Sequence, residues 1–182
     1  PQALAPIVES QTTLPAPAVA PRIALPGGPL TGTLSDLAQQ HGADPHLVAA
    51  ILGNEGSGDQ AVSPRGAVGR FQILPGTARP YLPEGLSDEQ ITAQLRNPRI
   101  NAEVGLRLIR DIQAKYPDRP DLAMAEYFGG PGAVQNGAIA RPQVSDGNLT
   151  RQQYVDRGMA RLQSSQQRFA GPGAIAPPAE IT

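Results

Sequence analysis

The residue with the clearest chemical potential is Glu55, which ends the apolar segment HLVAAILGNE. In a helix, Val48, Ile51 and Leu52 share a face with Glu55 by the i, i+3, i+4 spacing. Apolar surroundings raise the pKa of a carboxyl group, which suits proton donation to a leaving-group oxygen. The glycine-rich loop that follows lets backbone approach a ligand closely. A solvated or capping glutamate is the alternative interpretation, and on these residues alone it is favoured.

Composition excludes several classes of function. The formal net charge is −1 with no run of Lys or Arg, so no basic face for nucleic acid is predicted. Cysteine is absent, and His41 and His46 miss the i, i+4 spacing of helical metal ligands, so we expect neither a metal nor another cofactor. No apolar stretch is long enough to span a bilayer.

Local signals place Glu55 in an all-α domain of short helices over about residues 31–168. Helices are predicted at 34–41, 45–55, 87–95, 98–116, 121–128 and from residue 150 onward. Side-chain caps mark their starts at Asp44-Pro45, Ser87 with Gln90, Asn97-Pro98 and Thr150 with Gln153. Few aromatic residues and no strand alternation favour helix-on-helix packing.

Both ends of the chain are rich in proline, alanine and glycine. Residues 1–30 and 169–182 are therefore predicted to be extended linkers, because proline removes amide donors and fixes φ. The start at Pro1 and the absence of a signal-peptide pattern lead us to expect a module of a longer polypeptide.

Five segments together resemble the soluble lytic transglycosylases, relatives of goose-type lysozyme. In chain order they are GADPHLVAAILGNE, SPRGAVGRFQILPGTA, NPRINAEVGLRLIRDI, AEYFGGPGAV and LTRQQYV. They follow the order of that family and cover the chain between the proline-rich ends. The resemblance implies a lysozyme-like helical domain with a substrate groove.

The resemblance also implies roles for individual residues. Glu55 matches the catalytic glutamate, and Tyr127 matches a tyrosine whose hydroxyl holds the catalytic carboxyl. The predicted substrate-binding residues are Ser63, Gly69, Phe71, Gln72, Tyr127, Phe128 and Tyr154. Ser63 as a turn cap, Gln72 as a surface residue and Tyr127 as a core residue are the structural alternatives.

Five residues and one spacing depart from the family pattern. Gly56 stands where serine is usual, and the spacing from Glu55 to Ser63 is one residue shorter than is common. Phe128 replaces an asparagine expected to meet sugar, Glu126 replaces a small residue, and Arg70-Phe71 replaces Leu-Met. These departures change residues that are expected to contact the glycan, and they leave the carboxyl group of Glu55 in place.

The activity implied by the resemblance is cleavage of the MurNAc–GlcNAc bond of peptidoglycan with formation of 1,6-anhydroMurNAc. One alternative is a muramidase that hydrolyses the same bond, with Asp59 or Glu126 positioning water. Another is a non-catalytic glycan-binding or structural module of a larger assembly. We expect other chains of such an assembly as partners, a virion protein that opens the cell wall as the setting, and a periplasmic enzyme as the alternative.

Trimming tests the predicted boundaries. A protein that begins at Thr31 and ends at Ala170 should fold and cleave peptidoglycan, because the removed ends lack the apolar periodicity of a core. Melting curves and glycan cleavage of the full and trimmed chains provide the measurement. A trimmed chain that does not fold would show that the proline-rich ends belong to the domain.

Overall fold

The computed structural model describes residues 33–56 and 58–169. Its helices are α1 (Leu34–Gln40), α2 (Pro45–Glu55), α3 (Pro75–Ala78), α4 (Asp88–Leu95), α5 (Pro98–Lys115), α6 (Pro120–Gly129) and α7 (Arg151–Phe169). Short 3-10 turns occupy Arg79–Tyr81 and Pro131–Ala133, and two strands, β1 (Val134–Gln135) and β2 (Ala138–Ile139), form a hairpin. The predicted all-α fold is confirmed, with this small hairpin as its one addition in the described residues.

The helix starts lie where the sequence places their caps. Asp44 Oδ1 accepts a hydrogen bond from His46 N at 2.8 Å, with proline in the first position of α2. Asn97 caps α5 in the same way. Because these bonds connect neighbours in sequence and satisfy amides that the helix leaves free, sequence alone identifies them.

The hairpin follows from a turn signal that the sequence analysis did not use. Asn136 and Gly137 have φ angles of 51° and 71°, and residues that tolerate positive φ are those that two-residue hairpin turns require. The strands pair antiparallel, with Val134 opposite Ile139. Two residues per strand are too few to produce a readable alternation of apolar and polar side chains.

The core forms where α7 packs against α2 and α6, and where α5 packs against α6. The predicted apolar face of α2 is buried at Val48 and Ile51, and α5 buries Val104 and Ile112. This packing holds the C-terminal end of α2, and therefore Glu55, beside α7.

No helix within the described residues is long and apolar enough to cross a membrane. The predicted linkers, 1–30 and 169–182, lie outside the described residues except for Phe169, the last residue of α7.

Phe71 belongs to this core, which corrects its prediction as a substrate-binding residue. Its side chain is 1% exposed and packs against helix α5 at Gly105. A β-carbon at Gly105 would lie 2.3 Å from a ring carbon of Phe71, so only glycine leaves room for the ring. The aromatic ring thus anchors its loop to the core instead of facing a ligand.

We predict that Gly105→Ala destabilises the protein by about 1–3 kcal/mol, because overpacking outweighs the better helix propensity of alanine. Urea and thermal unfolding provide the measurement. Gly76→Ala is the matched control, since nothing lies within 4 Å of its added β-carbon, and it should be neutral or slightly stabilising. A Gly105→Ala protein as stable as wild type would contradict the packing described here.

Candidate active site

A cleft of about 530 Å³ opens beside the end of α2. One wall is the loop that connects α2 to α3, and the other combines α6, the start of α7 and the loop before α7. The lining includes predicted and unpredicted residues, namely Asn54, Glu55, Ser63, Pro64, Arg65, Ala67, Gln72, Ile73, Leu74, Thr77, Leu108, Tyr127, Phe128, Asp146, Gly147, Asn148, Leu149 and Tyr154.

Glu55 is the last residue of α2 and lies partly buried in this cleft. Burial raises the pKa of Glu55 to about 7; the hydrogen bond from Tyr154 opposes the rise, and the negative charge of Asp146 adds to it. Gly56 ends the helix with a left-handed φ of 56°, a conformation that glycine adopts at no steric cost. This is a local reason for glycine at a position where the resemblance implies serine.

The tyrosine that donates a hydrogen bond to Glu55 is Tyr154 of α7. Its hydroxyl lies 2.7 Å from Glu55 Oε1. The resemblance implies this role for Tyr127. The Tyr127 hydroxyl instead donates a hydrogen bond to the carbonyl oxygen of Phe71, at 2.6 Å. Burial and the nearby Glu55 raise the pKa of both tyrosines well above the usual value, so both hydroxyls keep their protons at neutral pH.

Phe128 also lines the cleft, at a position where the resemblance noted above implies asparagine. Its ring lies 4.8 Å from that of Tyr154, with a tilted geometry. Such a pair is stabilising and helps to exclude water from the tyrosine beside Glu55. Phe128 therefore presents an apolar surface to the cleft instead of an amide.

The loop wall carries Ser63 and Gln72, two of the residues predicted to bind substrate, and both line the cleft. Ser63 Oγ accepts a bond from Ala67 N at 3.0 Å, so this hydroxyl also closes a turn. Gln72 has a φ of 46°, a strained conformation for a non-glycine residue, and its Nε2 donates to Gly69 O at 2.7 Å. Both polar groups thus help to hold the wall from which they face the cleft.

The buried Asn101 of α5 connects this wall to the core. Its Oδ1 accepts from Phe71 N at 3.0 Å and its Nδ2 donates to Val68 O at 2.9 Å. Gly69 packs directly on this amide with a φ of 74°, and a β-carbon there would lie 2.5 Å from Asn101 Nδ2. Gly69 is therefore buried and outside the cleft lining, which corrects its prediction as a substrate-binding residue. Sequence analysis missed Asn101, a buried polar residue of α5.

Neither predicted second carboxylate lines the cleft. Glu126 is 4% exposed, and its oxygens bind Lys115 Nζ at 2.6 Å and the Tyr116 hydroxyl at 2.7 Å, on the side of α6 that faces the end of α5. Asp59 is exposed in a turn outside the lining. The muramidase alternative therefore loses both residues that were expected to position water.

Sequence analysis missed two charged groups that do line the cleft, Arg65 and Asp146. Arg65 Nη2 donates to Ser145 O at 3.1 Å, which joins the α2–α3 loop to the loop before α7. The available signal was the Asp-Gly dipeptide at residues 146–147, which indicates a turn but says nothing about what the turn contacts.

The two histidines lie outside the cleft lining. His46 Nδ1 is 2.9 Å from Ser165 Oγ, and burial lowers the pKa of His41. Within the described part of the chain, no group of three or more His, Cys, Asp or Glu residues could hold a metal ion.

With this geometry established, comparison with known proteins identifies the family. The profile of the transglycosylase SLT domain matches residues 33–148, more than half of the chain. The chain belongs to the transglycosylase SLT domain family. The match begins at the N-cap of α1 and includes α1–α6 together with most of the cleft lining.

A solved structure supports the same fold for this SLT domain. The X-ray structure of the lytic transglycosylase Slt from Pseudomonas aeruginosa, an inactive glutamate-to-glutamine mutant, is similar with a TM-score of 0.56 and 24% sequence identity. The match covers 77% of this chain and 24% of that protein, so the chain spans about a quarter of its length. The predicted lysozyme-like helical fold is confirmed.

We predict that Tyr154→Phe raises the pKa of Glu55 above about 7, because the lost hydroxyl stabilises the ionised carboxylate. Carbon-13 NMR titration of the Glu55 side-chain carboxyl measures the change. Tyr81→Phe is the control, since its hydroxyl donates to Asp111 outside the cleft lining. An unchanged or lowered pKa in Tyr154→Phe would refute the assigned contact.

Proposed function

We propose that this SLT domain is a peptidoglycan lytic transglycosylase that cleaves the MurNAc-β-1,4-GlcNAc bond and forms 1,6-anhydroMurNAc. Family membership supports transglycosylase action on peptidoglycan in general. The observation that carries the proposal is Glu55, a partly buried carboxyl group with a pKa of about 7 in a cleft. A pKa near the working pH is what a residue needs to act as both acid and base.

In the first step Glu55 donates its proton to the glycosidic oxygen. The bond from this oxygen to C1 of MurNAc breaks, and the sugar ring develops oxocarbenium character. Tyr154 donates to Oε1, which favours placement of the acidic proton on the other carboxyl oxygen. The same hydrogen bond stabilises the carboxylate that remains after the transfer.

In the second step the C6 hydroxyl of the same sugar attacks C1, and its proton passes to the Glu55 carboxylate. The nucleophile is already attached to the substrate, so its effective concentration is high and no water has to be activated. Glu55 ends protonated, ready for another cycle. This reaction scheme uses a single proton-transferring carboxyl group, which agrees with the positions of Asp59 and Glu126 outside the cleft lining.

The remaining lining suits a sugar chain. Leu74, Leu108 and Phe128 offer apolar surface for sugar rings, while Ser63 and Gln72 offer hydrogen-bonding groups. We assign substrate binding to Ser63, Gln72, Phe128 and the tyrosines beside Glu55, Tyr127 and Tyr154. The structural neighbour is described as inactive after replacement of one glutamate by glutamine, and we propose the same dependence on Glu55 for this chain.

The setting that we propose is local opening of the cell wall by a virion protein or another cell-wall-penetrating assembly. It rests on the proline-rich ends of the sequence and stays a prediction. Virion particles that carry the full-length polypeptide should show the same glycan cleavage in a zymogram.

We predict that Glu55→Gln abolishes the release of fragments from purified sacculi, whereas Glu84→Gln, the same change at an exposed residue outside the cleft, does not. Reducing-end analysis of the wild-type digest should find anhydro ends. Hydrated ends would indicate a muramidase, and no products a non-catalytic module. Activity of Glu55→Gln near that of wild type would exclude Glu55 as the acid.

The same variant has a predicted effect on stability. A carboxyl pKa raised from 4.5 to about 7 means that the folded state binds the proton more tightly, so wild-type stability falls as pH rises through this range. Glutamine cannot ionise. The melting temperature of Glu55→Gln should therefore equal or exceed that of wild type at pH 8.

A further inference from the structure

The loop between β2 and α7 brings Asp146 into the lining of the cleft that contains Glu55. Among the described residues, three charged ones line this cleft, Glu55, Arg65 and Asp146. The proposed mechanism assigns Asp146 no part in proton transfer. Asp146 is thus a second carboxylate in the cleft that contains Glu55.

One carboxylate oxygen of Asp146 accepts hydrogen bonds from the backbone, and the other does not. Its Oδ1 accepts hydrogen bonds from Asn148 N at 2.7 Å and Leu149 N at 2.9 Å. Within the described residues Oδ2 has no hydrogen-bond partner. The loop is closed by an isolated bridge between Ser145 and Thr150, so the carboxylate sits on a fixed turn.

The negative charge of Asp146 acts on Glu55. It contributes to the raised pKa of Glu55, whereas the tyrosines that face Glu55, Tyr127 and Tyr154, stay neutral at neutral pH. Arg65, the cation of the lining, donates to the Ser145 carbonyl next to Asp146. Two carboxyl groups in different environments, one partly buried and one exposed, are suited to different roles.

We propose that Asp146 acts by charge alone, stabilising the positive charge that develops on the sugar ring as the glycosidic bond breaks. The inference rests on the proposed function. The electron pair of the C1–O bond leaves with the oxygen that Glu55 protonates, and Asp146 forms no bond to carbon. The C6 hydroxyl then closes onto C1 and returns its proton to Glu55.

Asp146→Asn removes the negative charge but keeps the side-chain oxygen that closes the turn. The two backbone amides bind a single oxygen, and the carbonyl oxygen of asparagine can accept the same bonds. Asp146→Ala removes both charge and turn, and Asp146→Glu keeps the charge. Asp118→Asn, at an exposed residue outside the cleft, is the matched charge control.

The experiment measures kcat and KM for release of fragments from soluble glycan strands over a range of pH. In Asp146→Asn we expect kcat to fall by about tenfold with KM little changed, which is the signature of an interaction made in the transition state. The alkaline limb should move to lower pH, since removal of the negative charge lowers the pKa of Glu55. Asp146→Glu should be more active than Asp146→Asn, and Asp118→Asn should match wild type.

Contrary outcomes are distinguishable. Wild-type kcat and pH profile in Asp146→Asn, with loss of activity or stability in Asp146→Ala, would show that the residue serves only the turn. A raised KM with unchanged kcat would show ground-state binding, and either result overturns the inference alone. A wild-type protein that releases no fragments would overturn the proposed function and the inference together.

Discussion

The withdrawal of the Glu55 carboxyl group from water is the constraint on which the rest of the site depends. A charged carboxylate loses hydration at this position, and its pKa therefore rises to about 7. The residues that exclude water come from far along the chain, since Phe128 of α6 packs on Tyr154 of α7 and Tyr154 donates to Glu55. The packing of α7 against α2 and α6 thus determines both the stability of the core and the protonation of the site.

The opposite wall of the cleft, the loop between α2 and α3, has almost no regular secondary structure and needs support from the core. Buried backbone groups need partners, and a loop lacks those that a sheet would supply. Asn101 provides two of them, to Phe71 N and Val68 O, while the Phe71 ring fills the space left by Gly105. The strained backbone of Gln72 is maintained by these surroundings. A glycan strand would therefore meet a preformed surface.

Features encoded by neighbouring residues were predictable from sequence, and features encoded by distant contacts were not. The cap of α2 by Asp44 and the end of that helix at Glu55 depend on residues a few positions apart. Tyr154, by contrast, meets Glu55 across 99 positions of sequence. Phe71 was assigned to the site because it lies in a matching motif, yet the gap at Gly105 that buries it is on another helix. Resemblance located the cleft, but the hydrogen bonds within it required the structure.

Titration of Glu55 in the wild-type protein tests directly whether its carboxyl group holds a proton at neutral pH. Carbon-13 NMR of the glutamate side-chain carboxyl carbons, with the Glu55 signal assigned by its absence from Glu55→Gln, follows the protonation of each residue with pH. We predict a midpoint near 7 for Glu55. A midpoint near the ordinary glutamate value of 4.5 would show that the carboxyl group is ionised at neutral pH, and the acid role proposed for it would be contradicted.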